Sequence, residues 1–348
     1  MQYTSLKINS DLLFQDKHEE INRELKSFFK DLKIAHKTVV QITCHAAIRQ
    51  HDDYEACANT LRTALDTLFN SAPPATTLIA QEPAKDTSKV LFRIGLCRQP
   101  EAKVEHKVFQ KHPYTLLSIK GEKMLFSGGI NGILPNDMLR NIQSVYDFAE
   151  QLLDHEEMHF GHIAVESNFV EDINGKENAA TGWNNKQALE EIRRLYFDPT
   201  LFQHGTPLEQ TAGIDSGTCL MDFIAMAKDG FPGAQLSHTE STQDITRCAY
   251  LPQLKKVFIG HTNDGNVSSA SDQLKAAVGQ IETLMNNTQL TFASYFDEVK
   301  LTLPENNETK AIIDKTREIL KTNRLTIVFA PLKNKQVKLE LEVIATVS

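Results

Sequence analysis

Residues 337–345 read Val337-Lys338-Leu339-Glu340-Leu341-Glu342-Val343-Ile344-Ala345. Apolar and charged side chains alternate through Val343, so the segment reads as a strand with one polar face, Val337–Thr346. Leu325–Phe329 is a strand before it, and Asn307–Lys321 is a helix before that. Further out come the strand Ser294–Leu303, the helix Ser271–Asn286 and the strand Lys256–Gly260. Leu274, Val278, Ile281 and Met285 fall on one face of that helix.

The pattern recurs upstream. Tyr114–Ile119 and Lys123–Phe126 form a hairpin turning at Gly121, followed by the helix Asn136–Asp154 and the strand His162–Val170. The helix Lys186–Phe197 and the strands Thr211–Asp215 and Thr218–Ala227 complete that set. Earlier still are the helix Glu19–Lys33, the strand Thr38–Ile48, the helix Asp53–Phe69 and the strands Thr76–Gln81 and Val90–Cys97. Repetition fixes architecture before any motif does. The chain therefore reads as three α+β units, 1–98, 113–227 and 247–348, joined by linkers 99–112 and 228–246. Residues 173–185 read as an inserted loop.

The chain has 348 residues, 41% hydrophobic and 24% charged, with a net charge of −8. That composition is ordinary for a folded protein. An acidic balance argues against nucleic acid as a partner, because phosphate binding needs a basic surface. No run approaches 18 apolar residues, so no membrane-spanning helix is expected. No apolar leader precedes the first helix, and the five cysteines are scattered without a CxxC. A reducing, cytoplasmic setting is the natural reading. No cofactor is expected: Gly128-Gly129 and Gly213–Gly217 lack the spacing of a phosphate loop.

His155-Glu156-Glu157-Met158-His159 matches HExxH. Zinc binding needs both histidines on one helix face. The repeat places this segment where a helix ends and turns into a strand, so a polar turn is favoured and no metal is expected.

The third unit resembles the Rid family, also called YjgF or L-PSP. Val257-Phe258-Ile259-Gly260, Ala276–Asn286, Phe296–Leu303 and the closing segment Arg324–Ala345 carry the resemblance. Met124–Ile130 and His162–Ile173 show the same pattern in the second unit. Tandem units in a chain of this length resemble chorismatases, the Rid-superfamily hydrolases that release pyruvate from chorismate. The resemblance implies chorismate-mutase-like α+β units, here repeated in one chain as a pseudo-trimer and so a monomer. Val165 and Ser167 stand where chorismatases carry Arg and Trp.

By resemblance, Arg324 would grip a substrate carboxylate and Glu340 would orient water or move a proton. The chemistry is sound: a guanidinium binds a carboxylate through a fixed donor fork, and a partly buried Glu can exchange protons with water. His261 and Thr262 occupy positions beside the family's ligand, and Tyr250 lines the same cleft in this reading. The bland alternatives are an ordinary ion pair, a loop histidine and a packing tyrosine. The function expected is a hydrolase or deaminase acting on a carboxylate-bearing imine, enamine or enol ether. The alternative is a non-catalytic carboxylate-binding protein, motivated by Val165 and Ser167. The endoribonuclease activity implied by one family name is disfavoured by the charge.

Overall fold

The computed structural model describes residues 1–84, 89–132, 137–178, 181–197, 207–227, 238–240, 244–263, 269–288, 290–304, 309–320, 324–332 and 337–348. Most of the expected linker 228–246 and part of the inserted loop 173–185 lie outside them.

The first sheet holds β1 (Gln2–Asn9), β2 (Val39–His45), β3 (Ala75–Ile79) and β5 (Lys89–Leu96) in the order β1-β5-β2-β3. The short helix α1 (Asp11–Phe14) follows β1, then α2 (His18–Asp31); α3 (His51–Leu68) joins β2 to β3. The two-residue strand β4 (Glu82–Pro83) leaves this sheet and pairs with the third.

The second sheet begins with β6 (Ala102–Phe109), β7 (His112–Ile119) and β8 (Glu122–Asn131). Helix α4 (Met138–His155), β9 (Ile163–Glu171), α5 (Asn185–Tyr196), β10 (Leu208–Ile214) and β11 (Cys219–Met226) follow. Its order is β10-β9-β11-β8-β7-β6.

The third sheet comprises β12 (His238–Glu240), β13 (Asp244–Leu251), β14 (Lys256–Asn263), β15 (Phe292–Leu303), β16 (Leu325–Phe329) and β17 (Glu340–Val347). Helices α6 (Ala270–Asn287) and α7 (Thr309–Leu320) connect β14 to β15 and β15 to β16. Its order is β12-β13-β14-β17-β15-β16-β4.

One strand order underlies all three sheets: β1-β5-β2-β3, β8-β11-β9-β10 and β14-β17-β15-β16. In each, a helix crosses between a parallel pair, and the closing strand inserts antiparallel beside the opening one. Parallel neighbours require such a crossover.

Each sheet buries one face under its own helices. Ile21, Leu25, Leu61 and Leu65 cover the first, Ile142, Val145 and Leu152 the second, and Leu274, Ile281 and Ile313 the third. A fully buried Leu or Ile contributes ~1.5–3 kcal/mol relative to exposure. A fourth core lies between the sheets and draws Val40, Ala75, Phe126, Val165, Ile224, Phe258 and Ile344 from all three. The polar face of β17 therefore turns towards the other sheets, while Leu341 and Val343 pack with the helices.

Five strands escape the sequence patterns: β1, β4, β6, β12 and β13, the last two beginning in the expected linker 228–246. β1 offers little apolar periodicity and is an edge strand. The expected linker 99–112 contains β6, whose partly exposed Lys, Glu and His side chains mask a full antiparallel pairing with β7.

The HExxH segment is a turn. Helix α4 ends at His155, and Glu157 has φ +61°. The Glu156 carboxylate accepts hydrogen bonds from Lys107 and Tyr114, and the His159 ring accepts from the Gly161 amide. His155 and His159 do not share a helix face.

Candidate functional site

Strand register decides which of the expected residues meet. Arg324 directly precedes β16, level with Glu298 on β15. Glu340 opens β17, opposite Thr302 of β15 and Thr262 of β14. Four residue steps separate these levels, about 13 Å along the sheet, and the two strands are not neighbours. The expected pair Arg324 and Glu340 is not brought together.

His261 and Tyr250 fall on the helix side of the third sheet. The His261 ring is buried, with Nδ1 2.8 Å from Thr246 Oγ1, which donates in turn to Gln280 of α6. Burial lowers its pKa to about 4, so it is neutral near pH 7. Tyr250 packs against the apolar layer under α6. Neither shares a cleft with Arg324. For Thr262 the structure gives the backbone position alone, in β14 opposite Glu340.

Arg324 borders a different cleft, about 400 Å³ in volume, between the third sheet and the edge of the first. Its walls include Gln2–Ser5 of β1, Arg93 of β5, Arg98, Glu298 of β15, and Thr326 of β16. The Arg324 side chain is 47% exposed and lies 3.4 Å from an Asp297 oxygen. Burial works against the Asp297 carboxylate, but hydrogen bonds from Lys256 and Thr346 outweigh it and hold its pKa below the usual range. Asp297 stays charged and steadies the guanidinium at the rim. Arg98 is also exposed there, bonded to the Leu32 carbonyl at 3.3 Å.

Glu298 lies in the floor of this cleft. Its side chain is 6% exposed and ion-paired with Arg93 through Oε1. Oε2 is buried and makes no hydrogen bond. Burial is the largest influence and raises the Glu298 pKa, against the attraction of Arg93. Arg93 is fixed from its other side, its guanidinium 4.1 Å over the Tyr3 ring. The cleft thus offers exposed guanidinium forks beside a buried carboxyl group with one unused oxygen.

Sequence reasoning missed Glu298, Arg93, Arg98 and Tyr3. A signal for two of them was present. Glu298 and Lys300 alternate with Val299 and Leu301 in an apolar strand, and Arg93 lies between Phe92 and Ile94. Charges at the inward period of a strand mark a buried polar site as readily as a solvated face.

No family model matches the sequence, and no curated protein matches it. Among solved structures, a chorismatase crystal structure superposes with a TM-score of 0.62 at 14% identity, covering 90% of this chain and 94% of that one. A cyanuric acid hydrolase matches with a TM-score of 0.45 at 10% identity over 99% of both chains. A member of the YjgF/YER057c/UK114 family from Mycobacterium tuberculosis matches with a TM-score of 0.25 at 12% identity, covering 32% of this chain and 84% of its own. The chain therefore has a mixed α and β, chorismatase-like fold.

Proposed function

We propose that the chain is a small-molecule hydrolase or deaminase on a chorismatase-like scaffold of the Rid superfamily. Its substrate would be an imine, enamine or enol ether bearing a carboxylate. The observation that carries this reading is the meeting, in one cleft, of the Arg324 guanidinium with the buried Glu298, whose Oε2 has no hydrogen bond.

Arg324 binds the substrate carboxylate bidentately, with Arg98 adding positive potential at the rim. Glu298 takes the role first expected of Glu340. With an imine, a water adds to the carbon of the C=N bond and passes its proton to Glu298. The carboxyl group returns that proton to nitrogen, giving a carbinolamine; its carboxylate then takes the hydroxyl proton and passes it to nitrogen as the C–N bond breaks, so that a carbonyl compound and ammonia leave. A raised pKa suits that exchange. Arg93 holds the other oxygen and aims the free one.

The test is pyruvate release from 2-iminopropanoate generated in situ and from chorismate. Turnover of either should fall in Arg324→Ala and in Glu298→Gln. No turnover above these controls removes the enzymatic reading for these substrates.

The distance between Arg324 and Glu340 favours the second reading, a carboxylate-binding protein without turnover. Saturable carboxylate binding with no product would support it. In either case the three like-ordered sheets support three Rid-like units in a pseudo-trimer, and the reading keeps a monomer in the cytoplasm with no nucleic-acid partner.

A further inference from the structure

A second, smaller space lies where the polar faces of all three sheets converge. Each sheet contributes a cross-strand pair from equivalent strands: Thr43 with Arg93, Ser167 with Asp222, and Lys300 with Glu342. The free volume is about 70 Å³, room for a few waters or a very small molecule. Tyr3 and Arg93 border both this chamber and the Arg324 cleft.

The charged groups here already have partners. Lys300 Nζ donates to Glu342 at 2.8 Å and Arg93 to Glu298. Asp222 accepts from Thr77 Oγ1 at 2.8 Å and from the Gly129 amide at 2.7 Å. His45, two residues along β2 from Thr43, differs. It is 1% exposed, it lines the chamber, and neither ring nitrogen makes a hydrogen bond. Gln81 beside the ring offers its side-chain amide to one nitrogen. The other nitrogen remains without a partner. Burial first, then the charges of Lys300 and Arg93, hold the His45 pKa well below its usual value. The ring is neutral at pH 7, with one nitrogen donating and the other accepting.

Arg93 and Lys300 face Asp222 and Glu342 around this space, so the charges balance, and an anion gains no net attraction and displaces existing ion pairs. A neutral molecule leaves those pairs intact and gives His45 its missing partner. We propose that the chamber is a second ligand site, binding a small neutral molecule of the primary-amide class through His45. It is distinct from the Arg324 cleft, so its test and the turnover test fail independently.

The experiment is a titration of histidine-¹⁵N-labelled protein with acetamide, and separately with acetate, which has the same shape and a charge. Acetamide should move the His45 ring resonances saturably. Acetate should bind about tenfold or more weakly, and His45→Phe should abolish the acetamide response. A chamber that holds water alone gives no saturable movement and overturns the proposal. So does acetate binding as tightly as acetamide, or acetamide binding with the His45 ring unmoved. If His45→Phe does not fold, the two wild-type titrations still decide.

Discussion

Single residues carry the chemistry and can be tested singly. If Arg324 grips the carboxylate, Arg324→Lys keeps the charge but loses the fork. It should raise KM by about tenfold or more with a smaller effect on kcat, as expected when ground-state binding is removed. Glu298→Gln keeps the shape and loses the proton exchange, so it should lower kcat by about 10²-fold or more at similar KM. Steady-state kinetics on whichever substrate turns over separates the two roles. Asp222 offers a test that needs no substrate. Burial, opposed by the Gly129 amide and Thr77, raises its pKa from 3.8 to about 6. Between those values the folded state holds a proton that the unfolded state has released. Stability from this group is therefore present at low pH and is lost as pH rises through about 6. Asp222→Asn removes the dependence. Relative to wild type it should gain up to about 3 kcal/mol between pH 4 and pH 7 in urea unfolding.

At the scale of elements, the long helices and most central strands were legible because each has one apolar face under its own helix layer; β13, flanked by β12 and β14, was not. Leu274, Val278, Ile281 and Met285 are buried on the helix whose period announced them. The third-unit strand Leu325–Phe329 matches β16 in both bounds. The edge strands β1 and β6 were not legible, because their pairing is set by backbone hydrogen bonds that leave little mark on composition. The site was legible only in Arg324. A period-two pattern says that Glu340, Glu342, Glu298 and Lys300 share a polar face. It does not say that this face meets two other sheets instead of water. The glycines of β8 record that meeting. Gly129 has φ +69°, and a Cβ there would lie 2.6 Å from the Thr76 carbonyl oxygen on β3. Gly129→Ala should therefore cost about 2–4 kcal/mol, from left-handed strain and backbone collision together. Gly121, with φ +88° in the β7–β8 turn, meets nothing within 4 Å. Gly121→Ala should cost about 1–2 kcal/mol from strain alone. Equal losses in chemical denaturation would contradict a close β8–β3 contact.

For the whole molecule, the decisive question is what covers the inner face of each sheet. A lone α+β unit of this design would leave that apolar face exposed to water. Here Val40 and Ala75 of the first sheet, Phe126 and Ile224 of the second, and Phe258 and Ile344 of the third are buried against one another within one chain. β4 crosses from the first region to pair with β16, tying the third sheet to the chain's beginning. Among the described residues these faces are buried within one chain. The chain should run as a monomer near 39.1 kDa in size exclusion with light scattering. A species near three times that mass would show that the inner faces are completed between chains. The same packing predicts the fate of fragments. Residues 1–98 alone would expose Val40, Ala75 and Cys97, all now at most 2% exposed. That apolar surface should leave the fragment unfolded or aggregated, without a cooperative unfolding transition. Adding back residues 99–348 in trans should restore the transition. A fragment that unfolds cooperatively on its own would mean that the first unit is stable without the inter-sheet core.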